Sequence, residues 1–134
     1  MSLYVDSSAL LKRYVDEPDS GTAVDLIASD PELITGRHTG VEVRRNLARL
    51  LREKDLLRAK RALAADLESF AIVELDAATC ELAATIAEAT GVRSLDALHL
   101  GAAQRVGGVG IGFLTFDLRQ AQAARSLGFS VVGA

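Results

Sequence analysis

Short apolar runs alternate along this chain with longer segments whose apolar residues recur every three to four positions. Leu3-Tyr4-Val5 ends at Asp6-Ser7-Ser8, which predicts a buried strand, a polar stop and a helix through Ala9-Leu10-Leu11-Lys12-Arg13-Tyr14. Glu17-Pro18-Asp19-Ser20-Gly21 marks a break; a second helix is expected over Thr22 to Ala28, and Leu33-Ile34-Thr35 reads as the second strand. From Thr39, Val43, Leu47, Leu50 and Leu51 form one apolar stripe. Leu56, Ala59, Leu63, Leu67 and Phe70 repeat the period, so Thr39 to Phe70 is expected to be a helical hairpin. Glu42, Arg45, Arg49 and Arg52 fall together on another side of its first helix.

Ala71 to Leu75 reads as the third strand, and Asp76 as the cap of a helix that Gly91 stops. Ser94 opens a helix with Leu95, Leu98, His99, Ala102 and Val106 expected on its apolar side. The glycine-rich stretch Gly107 to Gly112 precedes the strand Phe113 to Phe116, so it is a connector; a dinucleotide loop would follow a strand and open a helix. Asp117 ends that strand, a helix runs to Leu127, and Phe129 to Val132 is the last strand. This alternation predicts a parallel α/β sheet with helices on both faces, folded as one domain over 1–134.

Composition narrows the class. Nearly half the residues are hydrophobic, no apolar run is long enough to cross a bilayer, and the start lacks the charge pattern of a signal peptide. The expectation is a soluble cytoplasmic protein. Cys80, the single cysteine, has no internal disulfide partner and is expected in the core. Fifteen basic residues against eighteen acidic ones look unsuited to nucleic acid. Setting aside Asp6, Glu42, Asp96 and Asp117 leaves fifteen against fourteen, and nine of the bases lie between Arg37 and Arg61.

Those four acids sit where elements join. Asp6 and Asp117 follow apolar strands, and Glu42 and Asp96 lie near helix starts, so all four belong to the edge where parallel sheets bind ligands. Each also has an ordinary use: Asp6 and Asp117 as N-caps, Glu42 in a Thr39-x-x-Glu42 capping box, Asp96 against a helix dipole. Spacing alone does not separate the two uses.

The phrases around the acids do. Tyr4-Val5-Asp6-Ser7-Ser8-Ala9-Leu10-Leu11-Lys12, Val41-Glu42-Val43-Arg44-Arg45, Ser94-Leu95-Asp96-Ala97-Leu98-His99-Leu100 and Leu114-Thr115-Phe116-Asp117 occur in that order. Together they resemble the PIN-domain nucleases, in particular the VapC-type toxins of type II (VapBC) toxin–antitoxin pairs, over essentially the whole chain. The resemblance implies a three-layer PIN-like sandwich with a parallel sheet ordered 3-2-1-4-5. It implies Mg²⁺-dependent (or Mn²⁺-dependent) endoribonuclease activity leaving 5′-phosphate and 3′-hydroxyl ends. By position, Asp6, Glu42, Asp96 and Asp117 become catalytic metal ligands, with Ser8 and Thr115 supporting them and Asp117 the most variable. It also implies a cognate VapB-type antitoxin, a homodimer (with the Thr39–Phe70 hairpin the surface to examine), operator DNA reached only through the antitoxin, and inhibition of translation by cutting tRNA, rRNA or mRNA.

The chemistry agrees with the resemblance: a hard cation on carboxylates activates water for attack on phosphorus. Arg45, Arg49 and Arg52 are candidate contacts to RNA phosphates, or else a solvated face. His99 is expected to be packed and hydrogen-bonded, and His38 to lie in a loop. A phosphoaspartyl enzyme fits badly, because Asp6-Ser7-Ser8 is not Asp-x-Asp and no lysine follows Lys60, as a receiver domain would need. The alternative is a catalytically silent PIN-fold module that binds RNA or protein.

Overall fold

The computed structural model describes residues 2–29 and 32–134. Five parallel strands form its sheet: β1 (Ser2–Val5), β2 (Glu32–Gly36), β3 (Ala71–Val73), β4 (Gly112–Thr115) and β5 (Ser130–Gly133). Their order is β3-β2-β1-β4-β5, as the resemblance implied. Seven α-helices surround them among the described residues: α1 (Ser7–Leu11), α2 (Ser20–Ala28), α3 (Thr39–Leu50), α4 (Glu53–Ser69), α5 (Ala77–Thr90), α6 (Ser94–Val106) and α7 (Leu118–Ser126). Gly108–Gly110 makes a short 3₁₀ turn before β4, in keeping with a connector.

Alternation along the central strands sends side chains to two cores, one on each face. Leu3, Val5 and Leu114 pack with Leu10, Val43, Leu47 and Leu63 from α1, α3 and α4. Tyr4, Ile34 and Phe113 pack with Ile86, Leu100 and small residues of α5, α6 and α7. Three layers result. Because every strand runs the same way, the ends of β1 and β4 and the starts of α1, α3 and α7 gather along one edge.

Three expectations about helix faces fail. Thr39 and Glu42 form no capping box: the α3 N-cap is His38, without a side-chain bond, and the Thr39 hydroxyl lies 2.7 Å from that of Thr35. On α6, Leu95 and Val106 are exposed, whereas Ala97, Leu100, Gly101 and Ala103 are buried. Small residues make this buried face because α5 and α6 lie very close. A Cβ on Gly101 would stand 3.0 Å from the Ala83 amide nitrogen and 3.1 Å from the Thr79 carbonyl oxygen. Gly101→Ala should therefore prise these helices apart and cost about 1–3 kcal/mol in urea denaturation; a neutral result would refute so close an approach. Finally, Cys80 is exposed rather than core, its thiol 3.6 Å from the Leu75 carbonyl. No helix among the described residues is long and apolar enough to cross a membrane.

Candidate active site

Asp6 leaves β1 in extended conformation and caps α1, its carboxylate accepting hydrogen bonds from the Ala9 amide (2.9 Å) and the Ser8 hydroxyl (2.8 Å). Its own amide donates to the Leu114 carbonyl, which ties the end of β1 to β4 (3.1 Å). Asp6 is therefore both a cap and a member of the edge cluster. The carboxyl is buried, and burial raises its pKa, although the charge of His99 and bonds from Thr115, Ala9 and Ser8 oppose the rise.

Across β4, Asp117 caps α7, accepting from the Gln120 amide (3.0 Å), and its own amide donates to the Thr115 hydroxyl (3.1 Å). Thr115 thus touches both Asp6 and Asp117. Asp96, half-buried in the first turn of α6, has its pKa raised by burial and then by the negative charge of Asp117; Arg93 and His99 oppose this. Gln120 fastens this corner, its side-chain amide donating to the Asp96 carbonyl (3.2 Å).

Glu42 projects inward from α3. Its Oε1 accepts from the Ser7 hydroxyl (2.6 Å) and lies 2.8 Å from His99 Nε2. Burial works to raise the Glu42 pKa, but the His99 bond and charge, with Ser7 and His38, outweigh it and leave the carboxyl below its ordinary value. The other nitrogen of His99 lies 2.8 Å from the Tyr4 hydroxyl. A chain Glu42–His99–Tyr4 therefore crosses the sheet edge and joins the two helical layers.

Four carboxylates consequently ring the edge, each close enough to His99 or to another acid to shift a pKa. Among the described residues no three of these acids bring ligating oxygens within 4.8 Å of one another, so the edge they share is an open mouth. The tight group of ligating atoms among the described residues is a different one, His38, Glu42 and His99, all within 4.8 Å of one another. His99 is packed and hydrogen-bonded as expected, but its partner is one of the acids; Ser7, Tyr4 and Gln120 were not singled out by sequence. Spacing held part of the signal, since Asp96 and His99 at i, i+3 and His38 and Glu42 at i, i+4 share helix faces. His38 is buried, not a free loop residue, and its ring centroid stands 4.0 Å from that of His99. Arg45 and Arg49 are exposed on α3; Arg52 lies past the end of α3, at the N-cap of α4, and does not extend their stripe.

The family model of the PIN domain matches residues 3–126. This chain belongs to the PIN-domain family. Ribonuclease VapC46 of Mycobacterium tuberculosis is 33% identical over 132 residues, covering 98% of this chain and 96% of that protein. Among solved structures, M. tuberculosis VapC20, a sarcin-ricin loop cleaving toxin, superposes with TM-score 0.71 at 23% identity, over 98% of both chains. Rickettsia felis VapBC2 bound to a DNA fragment from its promoter gives TM-score 0.66 at 12% identity, over 98% of this chain and 97% of that one. The two structures share the PIN fold with this chain, and the VapC relative places the chain among the VapC-type members of the family.

The donor set of this PIN domain suits a hard divalent cation. Asp6, Glu42, Asp96 and Asp117 offer oxygen donors, and burial is the largest cause of the raised pKa of Asp6 and Asp96, so a bound cation would offset the cost of ionising them there. A wide mouth also suits Mg²⁺, which keeps several waters and takes one or two carboxylates directly.

Proposed function

We propose that this PIN domain is a metal-dependent endoribonuclease, the toxin half of a toxin–antitoxin pair, in which Asp6, Glu42, Asp96 and Asp117 hold Mg²⁺ or Mn²⁺. The supporting observation is the convergence of four carboxylates at the carboxyl edge of β1 and β4, two of them with pKa raised by burial. A bound ion would supply Lewis acidity and an activated water. The chain's residues do the positioning. Ser8 and Thr115 orient Asp6, Gln120 fixes the backbone of Asp96, and Ser7 with His99 holds Glu42 ionised.

Substrate reaches the mouth between cations. A cleft of about 460 Å³ beside Asp96 is lined by Arg93, Arg119, Gln122 and Ser126, and Arg45 and Arg49 stand exposed on α3. These guanidinium groups suit RNA phosphates. Single-stranded loops of tRNA, rRNA or mRNA are the substrate class, and their cutting in the cytoplasm would stop translation and growth. A cognate VapB-type antitoxin would lie in the groove of α3 and α4 lined by Gly40, Val41, Leu63 and Leu67, and would carry the pair to operator DNA. Exposed Leu50 and Leu57 near the tip of the hairpin are the surface for a homodimer.

The test is cleavage of total cellular RNA by purified, antitoxin-free protein. Discrete Mg²⁺-dependent cuts are expected, lost in chelator and reduced about 1,000-fold or more in Asp96→Asn. Cuts that persist in chelator or in the variant would refute the carboxylate–metal reading. A folded protein that binds metal but cuts nothing would be a binding module instead.

A further inference from the structure

The two histidines of this chain lie together beside Glu42, and neither is among the four carboxylate ligands proposed above. We propose that His38, Glu42 and His99 form a second metal site, selective for Zn²⁺ and similar borderline cations over Mg²⁺. It shares Glu42 with the carboxylate centre.

Geometry supports this first. Glu42 Oε1 lies 2.8 Å from His99 Nε2 and 3.7 Å from His38 Nε2. Tetrahedral zinc with ligands at about 2.1 Å holds them about 3.4 Å apart, between those two separations. Small side-chain adjustments would complete the site. Three protein ligands of the His₂Glu type leave a fourth position for water, the open geometry that distinguishes such sites from closed structural ones.

His38 gives an independent indication. Its side chain is 7% exposed and neither ring nitrogen has a hydrogen-bond partner. The Leu95 carbonyl is close enough to influence it but does not meet hydrogen-bond geometry. An unpartnered buried imidazole is costly, and a cation at Nε2 would satisfy it. The backbone makes room for the ring at Gly36, where a Cβ would stand 2.7 Å from His38 Cε1 and 3.0 Å from the Tyr4 hydroxyl.

His99 is supported as a ligand from behind. To bind metal at Nε2 it must carry its proton on Nδ1, and the Tyr4 hydroxyl 2.8 Å away can accept that proton in a hydrogen bond. Imidazole nitrogen favours zinc, cobalt and nickel, whereas Mg²⁺ prefers oxygen alone. Because Glu42 serves both centres, zinc would displace a carboxylate from the Mg²⁺ centre and oppose cleavage. That last consequence rests on the ribonuclease reading; the binding does not.

Both histidines can be followed in tag-free, unsubstituted protein by imidazole ¹H–¹⁵N spectra. One equivalent of Zn²⁺ is expected to shift Nε2 of both rings, and excess Mg²⁺ neither. Co²⁺ should give the absorption of a four-coordinate centre. His38→Gln, checked for folding by circular dichroism, should weaken Zn²⁺ binding roughly tenfold or more. Asp96→Asn, which disables the carboxylate centre, should leave the histidine shifts in place. Histidine signals unmoved by Zn²⁺, or a zinc response lost in Asp96→Asn but kept in His38→Gln, would overturn the proposal. Loss of RNA cleavage with an intact zinc response would bear only on the ribonuclease reading.

Discussion

Asp6→Asn is expected to reduce metal-dependent RNA cleavage about 1,000-fold or more while making the metal-free protein more stable. Asparagine caps a helix as well as aspartate does, so α1 keeps its first bond to the Ala9 amide. What disappears is a buried negative charge. The folded pKa of Asp6 lies above its unfolded value, so between the two the folded state holds a proton that the unfolded state has released. Stability contributed by this group is therefore full below the ordinary carboxylate pKa and declines as pH rises through the raised one. Where it is ionised, the group is a burden that His99 and its hydrogen bonds lessen and that a bound cation would relieve further. In chelator the variant should gain about 1 kcal/mol, seen as a Tm higher by roughly 3–5 °C for a chain of this size. Adding Mg²⁺ should raise the Tm of the natural protein and leave the variant unmoved. A variant less stable in chelator by a similar amount would make Asp6 a structural cap and remove it from the metal centre.

The same residue shows why element-level reading of the sequence worked and contact-level reading did not. A helix cap and a ligand at a sheet edge call for the same residue at the same place, so the caps that Asp6 and Asp117 form do not exclude the proposed ligand role. Strands and helices were legible because large side chains mark their period, and parallel connection then brings strand ends to one edge. The order of the sheet came only with the family resemblance, since alternation of elements fits several orders. On α6 the apolar count misled, because Leu95 and Val106 outweigh the glycine and alanines that make the buried face. Volume decides packing there, and hydrophobicity does not record volume. Local spacing likewise suggested a capping box at Thr39-x-x-Glu42. In the fold Thr39 turns to Thr35, and Glu42 is drawn inward by two residues distant in sequence, Ser7 and His99.

His99 is where that missing information has the largest effect on stability. His99→Ala is expected to destabilise the fold by about 2–3 kcal/mol, below the roughly 3–5 kcal/mol for breaking a fully buried pair, because Glu42 retains some exposure. Three effects add. A large buried side chain leaves a gap, the Tyr4 hydroxyl loses a partner, and Glu42 loses the group that holds its pKa down. The last effect carries a sign that pH can read. A carboxyl with a depressed folded pKa contributes stability above its unfolded pKa and loses it as pH falls through the folded one. The gap between natural protein and variant, measured in urea, should therefore be widest near pH 7 and narrow as pH falls from about 5 towards 3. A gap independent of pH would assign the whole loss to packing. Because Glu42 stands on α3 and His99 on α6, a pH-dependent gap would show that a charged hydrogen bond joins the two helical layers across the sheet edge.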